Sequence, residues 1–379
     1  MKIAIQTCWE PDDNYGTQIQ CFALQYYLRE LGHEAYLVRY KRFGDRNPEN
    51  TPKQWILKAT NPFRIIRKLK SIYINTWQRI DTKIHDRGSR EFRNEYLLQS
   101  RIYNNYQELV DDPPDADLYI VGSDQVWNIS YKQKNNLNAF FLNYGSKETT
   151  RISFAASFGF ESEDLCIEYA SIVEPMLKRF SGVSVREKEG IEICRRLGVV
   201  DAIQVCDPVF LLSTKQYKSI MDSTPVKIEK KRYVFVYNIV ADSNLDINSI
   251  RDWARENNFD VIYVTGHGRL GGKPKINATI AEWIMYISDA ECVVTNSFHG
   301  TAISLLFHKQ VVAFRLKGIA ESSNSRFDVL NFLAGKNIVA REREEYKKLI
   351  KQEIDWELFE NRKSTLRDTG VNYLSKYII

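Results

Sequence analysis

From Glu291 to Arg315 the chain reads as a strand, a polar turn, a helix and a second strand in quick succession. Cys292 to Thr295 is a short apolar run rich in β-branched residues, which predicts a buried strand. Asn296-Ser297 makes the turn. From His299 onward Ile303, Leu306 and Phe307 recur at helical spacing, and Gln310 to Arg315 reads as the next strand. Few folds accept that order. Parallel strands need a crossover helix, so the segment predicts an open α/β sheet. Its turn falls at the carboxyl end of a strand, where such sheets bind ligands. His299-Gly300-Thr301 then stands at a helix N-terminus, with free N–H groups and the positive end of the dipole. Gly300 would admit a ligand close to the backbone. An imidazole there suits catalysis or phosphate binding, against the plainer alternative of a structural cap.

The N-terminus repeats the pattern. Lys2 to Cys8 is a strand, Thr17 to Leu31 a helix closed by Gly32, and Glu34 to Tyr40 a second strand. This βαβ opening predicts a parallel doubly wound sheet. Its loop, Asp13-Asn14-Tyr15-Gly16, is no dinucleotide fingerprint, and a turn explains it as readily as a ligand. Further strands are expected to end at Ser123-Asp124, Phe158-Gly159, Arg186-Glu187 and Asp207-Pro208, all on one sheet edge. Arg186 at such an end is placed to hold a carboxylate or phosphate, with an ion pair to Glu187 or Glu189 as the competing local role.

With 379 residues, roughly 100–200 per domain gives two domains. The expected division is an N-terminal Rossmann-like domain over 1–207, a C-terminal one over 208–340, and closing helices over 341–379. The stretch 43–106 reads as a helical insert, in which Lys53, Arg64, Arg67, Lys83 and Arg87 interleave with Trp55, Phe63 and Trp77. It is either a solvated basic face, a lid over an anionic substrate or a contact with an anionic membrane surface. Net charge +5 favours anionic ligands, and no motif for nucleic acid appears. No run of about 18 apolar residues predicts a membrane span. The start is too soon polar for a signal peptide, and the six cysteines stand singly, which predicts reduced, buried thiols and a cytoplasmic location, with peripheral contact at the inner face of the membrane left open. No His or Cys spacing suits a metal.

Several stretches, taken together, resemble the polysaccharide pyruvyl transferase family. They are Asn14-Tyr15-Gly16, Val121-Gly122-Ser123-Asp124-Gln125-Val126-Trp127-Asn128, Ile152 to Gly159, Ser184 to Glu187, Asp207-Pro208, Thr295 to Thr301 and Asn324-Ser325-Arg326. In order, they span nearly the whole chain. The resemblance implies a GT-B-like fold, two Rossmann-like doubly wound parallel-sheet domains facing across a cleft. It implies transfer of a pyruvyl group from phosphoenolpyruvate, with no cofactor, to a sugar of a surface polysaccharide or its lipid-linked precursor. The family's motif Arg and His fall on Arg186 and His299, both linked to the donor. Many members carry an Arg where this chain has Ser297, and Arg326 or Arg315 is the expected replacement.

On that basis the donor is expected at Arg186, Ser297, Gly300, Thr301 and Arg326, with His299 as general acid/base. Asp124 or Asp13 would orient or deprotonate the acceptor, unless either is only a turn or helix cap. Asn14, Tyr15, Gly16, Ser123 and Trp127, with the basic insert, would take the acceptor. A nucleotide-sugar-dependent glycosyltransferase and a non-catalytic carbohydrate-binding relative are the alternatives.

Overall fold

The structure is a computed structural model that describes residues 1–10, 14–42, 87–128, 134–222, 232–239, 243–266 and 276–378. Two five-stranded sheets, parallel throughout, organise it. The first runs in the order β3-β2-β1-β4-β5 and the second β12-β11-β10-β8-β9. In the first, β1 is Lys2–Gln6, β2 Glu34–Tyr40, β3 Gln99–Tyr103, β4 Leu118–Val121 and β5 Thr150–Ser153. A short pair, β6 (Ser184–Val185) and β7 (Ile203–Gln204), continues beyond β5 through bridges at Ile152–Gly182 and Ala156–Val185. In the second, β8 is Tyr233–Asn238, β9 Asp260–Thr265, β10 Cys292–Thr295, β11 Gln310–Phe314 and β12 Val339–Ala340. The central strands β4, β8 and β10 are buried at every position. Helices cover both faces of such sheets, which is why these strands are continuous apolar runs. Two Rossmann-like units of the GT-B type result.

The basic residues from Lys53 to Lys83 lie outside the described residues. The flanking part of the expected helical insert differs from its reading, because Gln99–Tyr103 is an edge strand paired with β2. Its alternation is masked by polar residues, since only Tyr103 of the five is buried. Arg87 is not on a solvated face but buried. Cys166 is exposed, whereas the other five cysteines are buried, and none of the six forms a disulfide.

Away from the site described below, contacts among the described residues stitch the two halves together. Tyr15 opens the helix Tyr15–Glu30 in the first half, and its ring stacks on Trp283 of the second at 5.5 Å and 10°. Its hydroxyl donates to the Ala278 carbonyl at 2.6 Å. Gln125 Nε2 donates to Ser323 Oγ at 2.9 Å. The closing helix, Trp356–Ser375, does the rest: Phe359 belongs with the second half, Gly370 lies against Phe154 and Cys206, and Tyr377 donates to the Ser181 carbonyl. The last residues are therefore a strap over both units, and its length, about 30 Å for 20 residues, is what lets it reach. Among the described residues, no helix is long and apolar enough to cross a membrane.

Candidate active site between the two sheets

The turn after β10 is held rigidly before the helix begins. Asn296 accepts from the Ile239 N–H at 2.8 Å and donates to Asn238 Oδ1 at 2.8 Å, tying the turn to the end of β8. Ser297 is the N-cap of the helix Phe298–Leu306, and its hydroxyl accepts from the Gly300 N–H at 3.1 Å. The Thr301 N–H goes to the Ser297 carbonyl at 3.0 Å. These two amides are therefore occupied, and the expected phosphate cradle at Gly300 and Thr301 is not open. Gly300 has a packing cause instead: a Cβ there would meet Thr295 Oγ1 at 3.0 Å and Tyr237 Cδ1 at 3.2 Å. Ser297, too, spends its side chain on capping rather than on a ligand.

His299, one residue into this helix, comes from the second half and meets the first half on Asp207. Its Nε2 lies 3.5 Å from Asp207 Oδ2, an ion-pair separation too long for a well-formed hydrogen bond. The same oxygen accepts from Ser123 Oγ at 2.8 Å and Arg186 Nη1 at 3.2 Å. The other carboxylate oxygen accepts from the Val209 N–H at 3.1 Å. Burial opposes charge on Asp207, but His299, Arg186 and the Ser123 hydrogen bond outweigh it and hold the carboxyl well below its usual range. Sequence reasoning reached Asp207 only as part of a motif. A single Asp before Pro after a strand reads as a helix cap, which it also is, for the short turn Pro208–Phe210.

Arg186 is the other convergent group. It is 1% exposed, and its Nε donates to Glu187 Oε1 at 2.7 Å. The local ion pair with Glu187 thus exists. The guanidinium also lies over the Phe298 ring at 4.3 Å, a cation–π contact across the two halves. Burial works against its charge, but Glu187 and Asp207 prevail and raise its pKa. It is not an open clamp, because two of its three nitrogens are spoken for. The third, Nη2, is buried without a partner.

Two more donors share that condition. His299 Nε2 and Arg326 Nε are buried and make no hydrogen bond. Arg326 begins the helix Arg326–Ala334 in the second half. Burial first, and then the neighbouring Arg186, push its guanidinium pKa down to about 10. Leaving buried donors empty costs about 1–3 kcal/mol each, so three at one locus point to a missing acceptor. Asp124 lies close enough for its charge to act on both arginines. Its backbone is left-handed, φ 74°, and its carboxylate accepts from the Gln125 N–H at 2.9 Å and from Thr17 Oγ1 at 3.2 Å. That carboxylate is half-buried at the strand end; the other expected acid, Asp13, lies outside the described residues.

The expected acceptor residues are corrected by their burial. Trp127 is 0% exposed, stacked on Phe141 at 5.0 Å with its N–H donated to the Phe140 carbonyl. Tyr15 is locked between the halves, and Ser123 is 0% exposed on Asp207. None of the three presents a face to a sugar. Aromatic residues beside a ligand loop resemble sugar platforms in sequence, but here the same apolar area closes the core. Asn14 caps the first helix through its side chain, which accepts from the Thr17 N–H at 3.3 Å. Gly16 lies directly against the His299 ring.

A family model described as polysaccharide pyruvyl transferase matches residues 14–318. A search of curated protein sequences gives no match. Among solved structures, UDP-GlcNAc 2-epimerase of Methanocaldococcus jannaschii in complex with UDP-GlcNAc and UDP is similar, with TM-score 0.55 at 14% identity over 98% of this chain and 99% of that one. UDP-N-acetylglucosamine 2-epimerase from Rickettsia bellii gives TM-score 0.52 at 13% identity over 100% and 97%. At such identities the likeness bears on the fold alone.

Proposed function

The chain belongs to the polysaccharide pyruvyl transferase family, and from that premise we propose that it moves a pyruvyl group from phosphoenolpyruvate to two hydroxyls of a sugar in a surface polysaccharide or its precursor, closing a ketal. One observation supports this reading above the others. Three buried nitrogens that make no hydrogen bond, Arg186 Nη2, Arg326 Nε and His299 Nε2, gather where the two sheets meet. A small ligand with both a phosphate and a carboxylate suits such a set, because guanidinium donors match both groups.

The chemistry then runs as follows. A proton from His299 goes to the vinyl CH2 carbon of the donor, leaving positive charge at C2. The first sugar hydroxyl bonds to C2, and its proton returns to the imidazole. The second hydroxyl bonds to the same carbon as the C2–O bond to phosphate breaks, and its proton leaves with phosphate. The products are a methyl-bearing ketal and inorganic phosphate. Asp207, held ionised, fixes the imidazole and faces it with a counter-charge; Asp124 orients the acceptor hydroxyl.

Incubating the protein with phosphoenolpyruvate and candidate glycans, and following phosphate release with ketal formation, tests the reading. His299→Ala should abolish release. Release at the wild-type rate by that variant removes His299 from the chemistry. The structurally similar epimerase is in complex with UDP-GlcNAc, so nucleotide-sugar chemistry is the second reading. Protection against heating by phosphoenolpyruvate and not by UDP-GlcNAc is expected here; the reverse result favours the rival.

A further inference from the structure

Three buried serines of the first half have found partners for their hydroxyls. Ser153 and Ser184 donate to each other's carbonyls at 2.8 and 2.7 Å, and Ser123 donates to Asp207 at 2.8 Å. Ser157 has not. It is 1% exposed, and its hydroxyl makes no hydrogen bond. Its backbone is fully used: the N–H donates to the Asp124 carbonyl at 3.1 Å, and the carbonyl accepts from the Trp127 N–H at 3.1 Å. Only the side chain is spare. A buried hydroxyl left empty costs about 1–3 kcal/mol, and folded chains rarely leave one without cause.

The register places that hydroxyl. Ala156 bridges Val185 in parallel, and the Arg186 N–H donates to the Ala156 carbonyl at 3.1 Å. One step on, Ser157 and Arg186 stand side by side, their backbones about 4.8 Å apart. Paired residues of parallel strands project to the same face, so Ser157 shares its side of the sheet with Arg186, whose Nη2 also makes no hydrogen bond. The position is held firmly. Asp124 and Ala155 are both left-handed, at φ 74° and 54°, a conformation that persists outside glycine only where the surroundings enforce it. Beyond Ser157, the Gly159 carbonyl accepts from Ser323 Oγ of the second half at 3.3 Å. Phe158, Gly159 and Glu187, next after the two strand ends, bound a small cavity whose opposite wall includes Ser323 and Arg326.

We propose that Ser157 is a further donor-contacting residue, its hydroxyl giving a hydrogen bond to the anionic group of phosphoenolpyruvate that Arg186 Nη2 holds. A guanidinium N–H beside a hydroxyl suits a carboxylate or a phosphate, since either offers two acceptor oxygens. The hydroxyl is neutral, so it adds a directed bond without adding to the repulsion between Arg186 and Arg326. The identity of the ligand rests on the function proposed above; that an anion lies there rests on burial and register.

Calorimetric titration of the full-length protein with phosphoenolpyruvate, orthophosphate and pyruvate tests the contact in two variants. Ser157→Ala removes the hydroxyl, and Ser157→Cys nearly keeps its volume with a weaker donor. Both should bind phosphoenolpyruvate about tenfold more weakly, the scale of one hydrogen bond to a charged group. Their melting temperatures without ligand should equal or exceed the wild-type value, because the hydroxyl has no protein partner to lose. The same loss with orthophosphate puts the hydroxyl on the phosphate; with pyruvate, on the carboxylate. Wild-type affinity for phosphoenolpyruvate in both variants overturns the assignment and leaves the functional reading standing. Melting below wild type in both variants makes the hydroxyl a structural group and overturns it as well. If the wild-type protein binds orthophosphate but not phosphoenolpyruvate, and the variants lose orthophosphate, the functional reading falls and the anion contact stands. Failure of all three anions to bind the wild-type protein sinks both.

Discussion

Gly16 and His299 are in contact across the two halves of the molecule: a Cβ on the glycine would fall 2.4 Å from the imidazole Nδ1 and 2.6 Å from the histidine Cβ. The second of those atoms is fixed to a helix and cannot swing away. Gly16→Ala must therefore push the imidazole off Asp207 or part the two halves. The expected result is a loss of about 1–3 kcal/mol in stability, as for other overpacked sites. Phosphate release should drop by about 100-fold, the scale for a displacement near 1 Å. Denaturant melts and turnover assays on this variant check both; near-normal turnover means that the contact does not position His299.

Asp207→Asn removes the charge on which Ser123, Arg186 and His299 converge. Breaking a buried ion pair by removing one partner costs about 3–5 kcal/mol. Because the folded-state pKa of Asp207 lies below the ordinary 3.8, its contribution is present above that value and fades as pH falls toward the folded-state pKa. The wild-type protein should lose this stability in acid below about pH 4, and the variant should show a flatter profile there. Urea midpoints from pH 7 to pH 3 measure the difference.

Arg326 pays for its position in stability. Its guanidinium pKa is lowered to about 10 by burial and by Arg186, so charge at that site opposes folding at every pH below that value and the penalty fades as pH rises through it. Arg326→Met should raise the unfolding free energy at pH 7 by on the order of 1 kcal/mol. The same change should weaken protection by phosphoenolpyruvate about tenfold, because a charge-assisted contact is lost. A variant that is more stable and binds the donor as well as wild type contradicts the assignment.

Ser297 gives up its hydroxyl to the Gly300 N–H. Ser297→Ala should cost about 1 kcal/mol, the usual value of an N-cap. Placing an arginine here would uncap the helix while adding a cation. Thermal melts of the two variants should both fall below wild type, and only the arginine variant should gain donor affinity.

Sequence alone settled most of the order of elements, though not the edge strand Gln99–Tyr103, which it read as part of a helical insert. Apolar runs such as Val293-Val294 and the turn residues between them are local signals, read within a few positions, and they led to two parallel sheets and to His299 at a helix start. They also marked Arg186 and its pair with Glu187, because adjacent residues need no fold to find each other. What only the tertiary structure decided was contact between distant residues. Asp207 lies 84 positions from Ser123, and Tyr15 finds Ala278 across 263. Whether an aromatic ring faces a sugar or closes a core depends on what packs against it, and no local pattern carries that, so Trp127 and Tyr15 were legible as aromatic but not as buried. The same holds for Ser157 and Arg186, two separate strand ends until the sheet register made them neighbours.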